Sequence, residues 1–299
     1  MLVNALYTTL WGQDMKKIAV FAKVHDPRCQ GVANELIAWL KDRSLEPLVE
    51  AHLAHHLNYP QGVPSSQIPD LADLVVVLGG DGTLLSTARL LGERSVPIVG
   101  VNLGSLGFLT EITVDELYAT LETCLAGEHR LSERMMLRAV VEREGEEIAN
   151  HLVLNDVVIN KGALARIVDL ETMVNGYKLT TYKADGLIIS TPTGSTGYTL
   201  SSGGPIIHPA MHCFVLTPIC PHTLTNRPLV VSDDSMVMVT VRSLPDEEVY
   251  LTLDGQVGVE LQCGDQIQVR RARHAAQLVM SSEKDYFAIL RTKLKWGER

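Results

Sequence analysis

The sequence predicts an α/β domain followed by a β-rich domain, and three observations carry that expectation. From residue 15 to about residue 130, short continuous apolar runs alternate with stretches of helical periodicity, the pattern of an open, mostly parallel sheet. After about residue 134 the apolar period falls to two, with Asn-Gly and Asp-Gly pairs between alternating stretches, as in antiparallel hairpins. The tail then returns to helical spacing and is too short to fold alone, so it must dock on a larger body.

In chain order, Lys16–Phe21 reads as the opening strand and Val32, Leu36, Trp39 and Leu40 as one face of a helix. Leu74–Leu78 is a strand buried on both faces, and Val96–Val101 is a second. Val114, Leu117, Leu121 and Leu125 form a helix stripe with Thr113 as its N-cap. Asn175-Gly176 joins Asp169–Val174 to Tyr177–Tyr182, and Asp254-Gly255 joins Glu248–Leu253 to Gln256–Leu261. Met236–Arg242 and Asp265–Arg271 are further strands, and Tyr286, Phe287, Leu290 and Leu294 share one face of the tail helix. The expected divisions are a loose extension over 1–14, with Met15 as an alternative start, an α/β domain over 15–133, a β-rich domain over 134–274 and a tail over 275–299.

Composition narrows the function. The 299 residues are 46% apolar and 20% charged, ordinary for a globular chain. A net charge of −9 supplies no basic field for nucleic acid or anionic lipid, so neither is an expected partner. No run of about 18 apolar residues suits an ordinary transmembrane helix. Five cysteines without a CxxC pair fit neither a disulfide framework nor a zinc knuckle, and the expected setting is reducing and cytoplasmic. His52, His55 and His56 share helical spacing but read as a solvated face, and Cys213 and Cys220 read as buried thiols, so no metal site is expected.

Two clusters carry the chemistry. Strand Leu74–Leu78 runs into Gly79-Gly80-Asp81-Gly82-Thr83 and then into a helical stretch. Glycines there let backbone amides approach phosphates, and the helix N-terminus adds a positive dipole. A carboxylate in such a loop repels phosphate, so Asp81 needs another task, such as accepting a hydroxyl proton or orienting a metal or ribose. The alternative is a tight turn with a capping Asp. The second cluster, Asp185–Tyr198 with Gly203-Gly204-Pro205 after it, brings hydroxyls, glycines and an aromatic beside a carboxylate. It suits a polar ligand held through backbone and hydroxyls against a flat ring.

Together these clusters resemble the NAD kinase family, in its bacterial branch. The GGDGT loop alone is shared with diacylglycerol and sphingosine kinases. Greater specificity comes from Asp185–Tyr198, Asn102–Thr110, Pro221–Leu229 and the tail around Asp285–Trp296. The resemblance implies transfer of the ATP γ-phosphoryl group to the 2′-hydroxyl of the adenosine ribose of NAD, with Mg²⁺ accompanying ATP. It implies a C-terminal helix that returns to the first domain, an active site between domains, and a homotetramer.

Residue by residue, the resemblance makes Asp81 the catalytic aspartate, flanked by Gly80 and Gly82 in the phosphate loop, and Phe108 an aromatic at the adenosine end. Asn155-Asp156 stands where the family has Asn-Glu, a pair that contacts NAD, so the acid here is one methylene shorter. Asp185 matches an aspartate toward the nicotinamide half, with Lys183 at a usually basic position. Thr196, Gly197, Tyr198, Thr199, Leu200 and Ser201 fall in the loop against adenine and ribose, where Gly197 replaces a common alanine. Arg166 and Gln256 align with NAD-contacting positions.

Overall fold

A computed structural model describes residues 15–162, 167–242 and 248–297. Contacts divide the chain into two units, one running through Glu133 and resuming at Ala276, the other spanning Arg134–Ala275.

The first unit is built on a seven-stranded sheet. Its path runs Glu46–Val49, Lys17–Ala22, Leu74–Leu78, Ile98–Asn102, Ala276–Val279 and Leu131–Arg134, with the two-residue strand Ile112–Thr113 also paired to Ile98–Asn102. Strands Lys17–Ala22, Leu74–Leu78 and Ile98–Asn102 pair in parallel. Every residue of Leu74–Leu78 and of Ile98–Asn102 is buried, as their continuous apolar character requires when helices cover both sheet faces.

Helix Pro27–Asp42 starts at Asp26, whose carboxylate accepts the Arg28 N–H, and it buries Cys29, Ala33, Leu36, Ile37 and Leu40. Helix Val114–Leu125 starts after Thr113, as the sequence predicts. The carboxylate of Glu116 accepts the Thr113 N–H at 2.7 Å and the Thr113 hydroxyl at 2.9 Å, within a capping box between the two residues.

The chain's end completes this unit. Strand Ala276–Val279 joins the sheet through Leu278, which pairs with Ile98, and the Met280 N–H donates to the Arg130 carbonyl at 3.0 Å. Lys284 then reaches the Glu116 carboxylate at 2.7 and 2.8 Å. Helix Tyr286–Leu294 is capped by Asp285 and buries Ile289 and Leu290. Phe287, expected on the packed face, is 57% exposed instead, because the docked stripe is one residue pair wide.

The second unit holds two six-stranded antiparallel sheets. One runs Tyr177–Ala184, Val168–Val174, Met236–Val241, Gln266–Arg271, Leu137–Arg143, Glu146–Val153. The other runs Leu229–Ser232, Cys213–Ile219, Gly186–Ser190, Asp156–Lys161, Val249–Leu253, Val257–Leu261. Their inner faces meet in one core that includes Val157, Ile159, Leu187, Ile189, Phe214, Leu251, Val239 and Val269. The Asn175-Gly176 turn has φ of 52° and 80°, the left-handed pair a two-residue hairpin needs. Cys213 is buried in its strand, but Cys220, just past the strand end, is exposed, so only one of these two thiols is buried as expected. Among the described residues no helix is long and apolar enough to cross a membrane.

Candidate functional site

Each unit carries one of the two sequence clusters. In the first, Gly80 caps helix Asp81–Leu91 without a side-chain bond, and Asp81 is its first residue. The Asp81 carboxylate does not cap its own helix. Its Oδ2 accepts the Phe108 N–H at 2.8 Å, and its Oδ1 accepts the Leu109 N–H at 3.1 Å, the Thr110 N–H at 3.0 Å and the Thr110 hydroxyl at 3.1 Å.

The Asn102–Thr110 segment is shaped to make those bonds. Asn102 is buried, its Oδ1 accepts the Gly104 N–H at 3.0 Å, and its Nδ2 donates to the Thr110 carbonyl at 3.4 Å. Phe108 is half-buried, and the Lys293 ammonium stands 5.6 Å from its ring centroid. Asp81, Gly80 and Phe108 are therefore gathered into one corner of the first unit, around the start of a helix whose dipole favours an anion.

In the second unit, strand Asp156–Lys161 turns Val157 and Ile159 into the inter-sheet core. The alternate residues Asp156, Val158 and Asn160 therefore share its other face. With Asn155, Tyr198, Thr252, Asp254 and Gly255 they line a cavity of about 380 Å³, a size suited to part of a dinucleotide.

The Ser/Thr/Gly loop closes on itself, and on the residues leading into this strand, through hydroxyls. The Thr191 hydroxyl donates to the Leu154 carbonyl at 2.6 Å, the Ser190 hydroxyl to the Asn155 carbonyl at 3.2 Å, and the Ser195 hydroxyl to the Pro192 carbonyl at 2.6 Å. A Cβ at Gly194 would collide with the Asn155 carbonyl, which is why this close approach takes a glycine. A Cβ at Gly197 would lie 3.7 Å from Asn155 Nδ2 and 4.0 Å from Asp156 Oδ2. Gly197, Tyr198, Asn155 and Asp156 are thus brought together.

Electrostatically this corner is unusual. Asp156 is 5% exposed, and burial, then the neighbouring Asp254 charge, pushes its carboxyl up to about 7. Asn155 Oδ1 and Asn160 Oδ1, on two residues that line the cavity, are buried without hydrogen-bond partners, as is the hydroxyl of Thr199.

The other expected residues sit apart. Asp185 pairs with Lys161 at 3.2 Å, at the strand end next to Asn160. Lys183 is mostly exposed and pairs with Asp169 at 3.0 Å. Gln256 is exposed in the turn that carries Asp254. Thr196 donates to the Thr193 carbonyl at 3.2 Å, and Leu200 and Ser201 end the short helix Tyr198–Ser201. Arg166 lies outside the described residues.

Sequence reasoning missed Val158, Asn160, Thr252 and Asp254 as cavity residues. The period-two rule from Asp156 would have found the first two. Asp254 was visible only as a turn residue. Among the described residues no group of three or more His, Cys, Asp or Glu side chains is placed to hold a metal ion.

Comparison with known proteins agrees with both clusters. Residues 18–129 match the ATP-NAD kinase N-terminal domain family and residues 154–281 the ATP-NAD kinase C-terminal domain family. A NAD kinase of Geobacter sulfurreducens is 70% identical over 285 residues, covering 95% of this chain and all of that protein. Among solved structures, yeast NADH kinase complexed with NADH superposes with a TM-score of 0.91 at 26% identity, covering all of this chain and 93% of that one. A NAD kinase from Archaeoglobus fulgidus in complex with ATP gives 0.74 at 25% identity, covering 92% of this chain and 99% of that one.

Proposed function

The chain belongs to the NAD kinase family, and from that premise we infer that it transfers the γ-phosphoryl group of ATP to the 2′-hydroxyl of the adenosine ribose of NAD, yielding NADP. The observation that carries the mechanism is the Asp81 carboxylate, fixed by four donors from Phe108–Thr110 at the start of a helix.

Three of those donors fall on Oδ1 and one on Oδ2, so Oδ2 keeps acceptor capacity. We assign Oδ2 the proton of the 2′-hydroxyl. The hydroxyl oxygen bonds to the γ-phosphorus, the bond from that phosphorus to the bridging oxygen breaks, and ADP leaves with the electron pair. Such transfers depend chiefly on positioning and electrostatic stabilisation. The loop has no lysine of the Walker type, so the N-terminus of helix Asp81–Leu91 at Gly80, with its dipole, is assigned the phosphates. Mg²⁺ is proposed to enter with ATP as part of the substrate, where it neutralises phosphate charge.

For NAD, the cavity supports Asn155, Asp156, Gly197 and Tyr198 as direct contacts, with Asp156 in the place of the family's glutamate. Phe108, Lys183, Asp185, Thr196, Thr199, Leu200, Ser201, Gln256 and Arg166 stay in the proposed set on the family's pattern. A homotetramer is proposed on the same pattern, and the exposed Leu229 and Val230 on the edge strand Leu229–Ser232 offer apolar surface for it. Five free thiols, three of them buried, favour a cytoplasmic setting.

Incubation with NAD, ATP and Mg²⁺, followed by an NADP-specific dehydrogenase, tests the reaction. NADP formation that needs all three is expected, and its absence overturns the assignment.

A further inference from the structure

The cavity of the second unit contains two carboxyl groups, although its proposed ligand carries negative phosphates. Asp156 is 5% exposed and Asp254 is 6% exposed. Their surroundings differ. The Asp254 carboxylate is filled by backbone donors: Oδ1 accepts the Asn155 N–H at 2.7 Å and the Asp156 N–H at 3.2 Å, and Oδ2 accepts the Leu154 N–H at 3.1 Å. The Asp254 N–H in turn donates to the Asp156 carbonyl at 3.0 Å. The Asp156 carboxyl receives no such set of donors among the described residues. It faces the cavity beside Gly197.

We propose that Asp254 is a positioning residue of the nucleotide pocket, fixing the Leu154–Asp156 backbone and leaving Asp156 as the proton-bearing member of the pair, so that Asp156 meets NAD as a hydrogen-bond donor. The proposal rests on the assignment of this cavity to NAD.

Two carboxyl groups in one buried corner do not both ionise readily, and the proton goes to the one with fewer donors. Asp254 enters from the turn after strand Val249–Leu253 and Tyr198 from the loop after strand Gly186–Ser190, and these are the titratable groups that share the cavity wall with Asp156. The adjoining strand places Ser190 opposite Asp156. Among the described residues no Lys, Arg or His lines the cavity to neutralise a second negative charge.

A protonated Asp156 removes one anion from a pocket for an anionic ligand. It also supplies an O–H donor on the cavity wall. The carboxyl, pushed up to about 7 by burial and by Asp254, places its loss of the proton within reach of experiment. The sign is fixed: binding is tight below that range and weakens as pH rises through it.

The test is calorimetric titration of NAD, without ATP, from pH 6 to pH 9 into the full chain and the variants Asp156→Asn, Asp254→Asn and Asn155→Ala, with melting curves at each pH. For the unaltered chain, Kd should rise about tenfold between pH 7 and pH 8.5. Asp156→Asn, permanently neutral and still a donor, should bind with a flat profile. Asp254→Asn, which lacks the repelling charge, should begin to lose affinity at lower pH. If Asp254→Asn does not fold, the contrast between the unaltered chain and Asp156→Asn still decides. A pH-independent Kd in the unaltered chain, or the same break in Asp156→Asn, overturns the proposal even where Asn155→Ala weakens NAD binding and so upholds the cavity. NAD affinity unchanged in Asn155→Ala and in Asp156→Asn at every pH removes the cavity assignment and the proposal with it.

Discussion

Gly107 and the Asp81 carboxylate occupy the same small space. A Cβ at Gly107 would collide with Asp81 Oδ1 and with the Thr110 hydroxyl, both side-chain atoms held by their own bonds. The glycine is thus what lets the Phe108–Thr110 amides close on the carboxylate. Gly107→Ala should cost about 1–3 kcal/mol of stability through overpacking and cut kcat at least roughly tenfold by displacing Asp81. Gly80 is the contrast, because a Cβ there meets nothing within 4 Å. Gly80→Ala should therefore cost less than about 1 kcal/mol, and any activity lost should appear in the ATP parameters. Denaturant titration and steady-state kinetics on both variants separate the two effects.

Asp81→Asn tests the proton acceptor itself. The amide keeps the size of the carboxylate but cannot take a hydroxyl proton, and its NH₂ opposes either the Phe108 N–H or the donors on Oδ1. Turnover should fall by roughly 10²–10⁴, the usual worth of a general base. NAD affinity should stay within a few-fold, because the amide keeps the size of the carboxylate and the residues lining the cavity proposed for NAD lie outside this corner. Near-normal turnover in a coupled NADP assay would remove Asp81 from the chemistry and leave it a brace for the Phe108–Thr110 loop.

The tail's anchor is expected to weaken with acid. Burial disfavours the ionised form of Glu116, but the Lys284 ammonium and the Thr113 N–H and hydroxyl overcome that and hold it down to about 2 from an ordinary 4.5. A carboxylate whose value is lowered on folding contributes stability above its unfolded value and loses it as pH falls through the folded one. The Glu116–Lys284 contribution should thus be complete above about pH 4.5 and fade towards pH 2. Lys284→Ala should destabilise tail docking by about 1–3 kcal/mol at pH 7. Hydrogen exchange in helix Tyr286–Leu294 reads this directly, and equal protection in the variant and the unaltered chain would show that the ion pair does not hold the tail.

The parts of this molecule legible in its sequence are those encoded locally. Leu74–Leu78 could be nothing but a strand covered on both faces, the glycines after it marked a close approach, and Thr113 announced a helix start. Asn175-Gly176 fixed a hairpin because few other pairs adopt two left-handed residues in succession. What escaped notice depends on distant pairing. Asp254 looked like a turn residue, and its bonds to Leu154, Asn155 and Asp156 cross about a hundred positions of chain. Ala276–Val279 is too short and mixed to announce a strand, and it becomes one only where the edge of Ile98–Asn102 accepts it. The Lys183–Asp169 pair is likewise a product of strand register, with Asp169 directly opposite Lys183.

Gly197 offers the most direct probe of how the Ser/Thr/Gly loop meets its ligand. Its φ is −96°, outside the left-handed region that favours glycine. The space is what constrains it. A Cβ would lie 3.3 Å from the Gly194 carbonyl, closer than an ordinary contact, and then 3.7 Å from Asn155 Nδ2 and 4.0 Å from Asp156 Oδ2. Alanine therefore requires a shift of a few tenths of an ångström and should leave the fold and KM nearly unchanged. Valine adds two methyl groups that have to point either at the Gly194 carbonyl or at the Asn155–Asp156 pair. Gly197→Val should raise the KM for NAD by roughly tenfold or more, about the worth of one or two misplaced methyl groups in a binding site, with the KM for ATP changed far less. Equal effects on both substrates would place this loop away from NAD. Loss of fold in both Ala and Val, followed by thermal melting, would mean that the Gly194 contact rather than the ligand sets the demand for glycine.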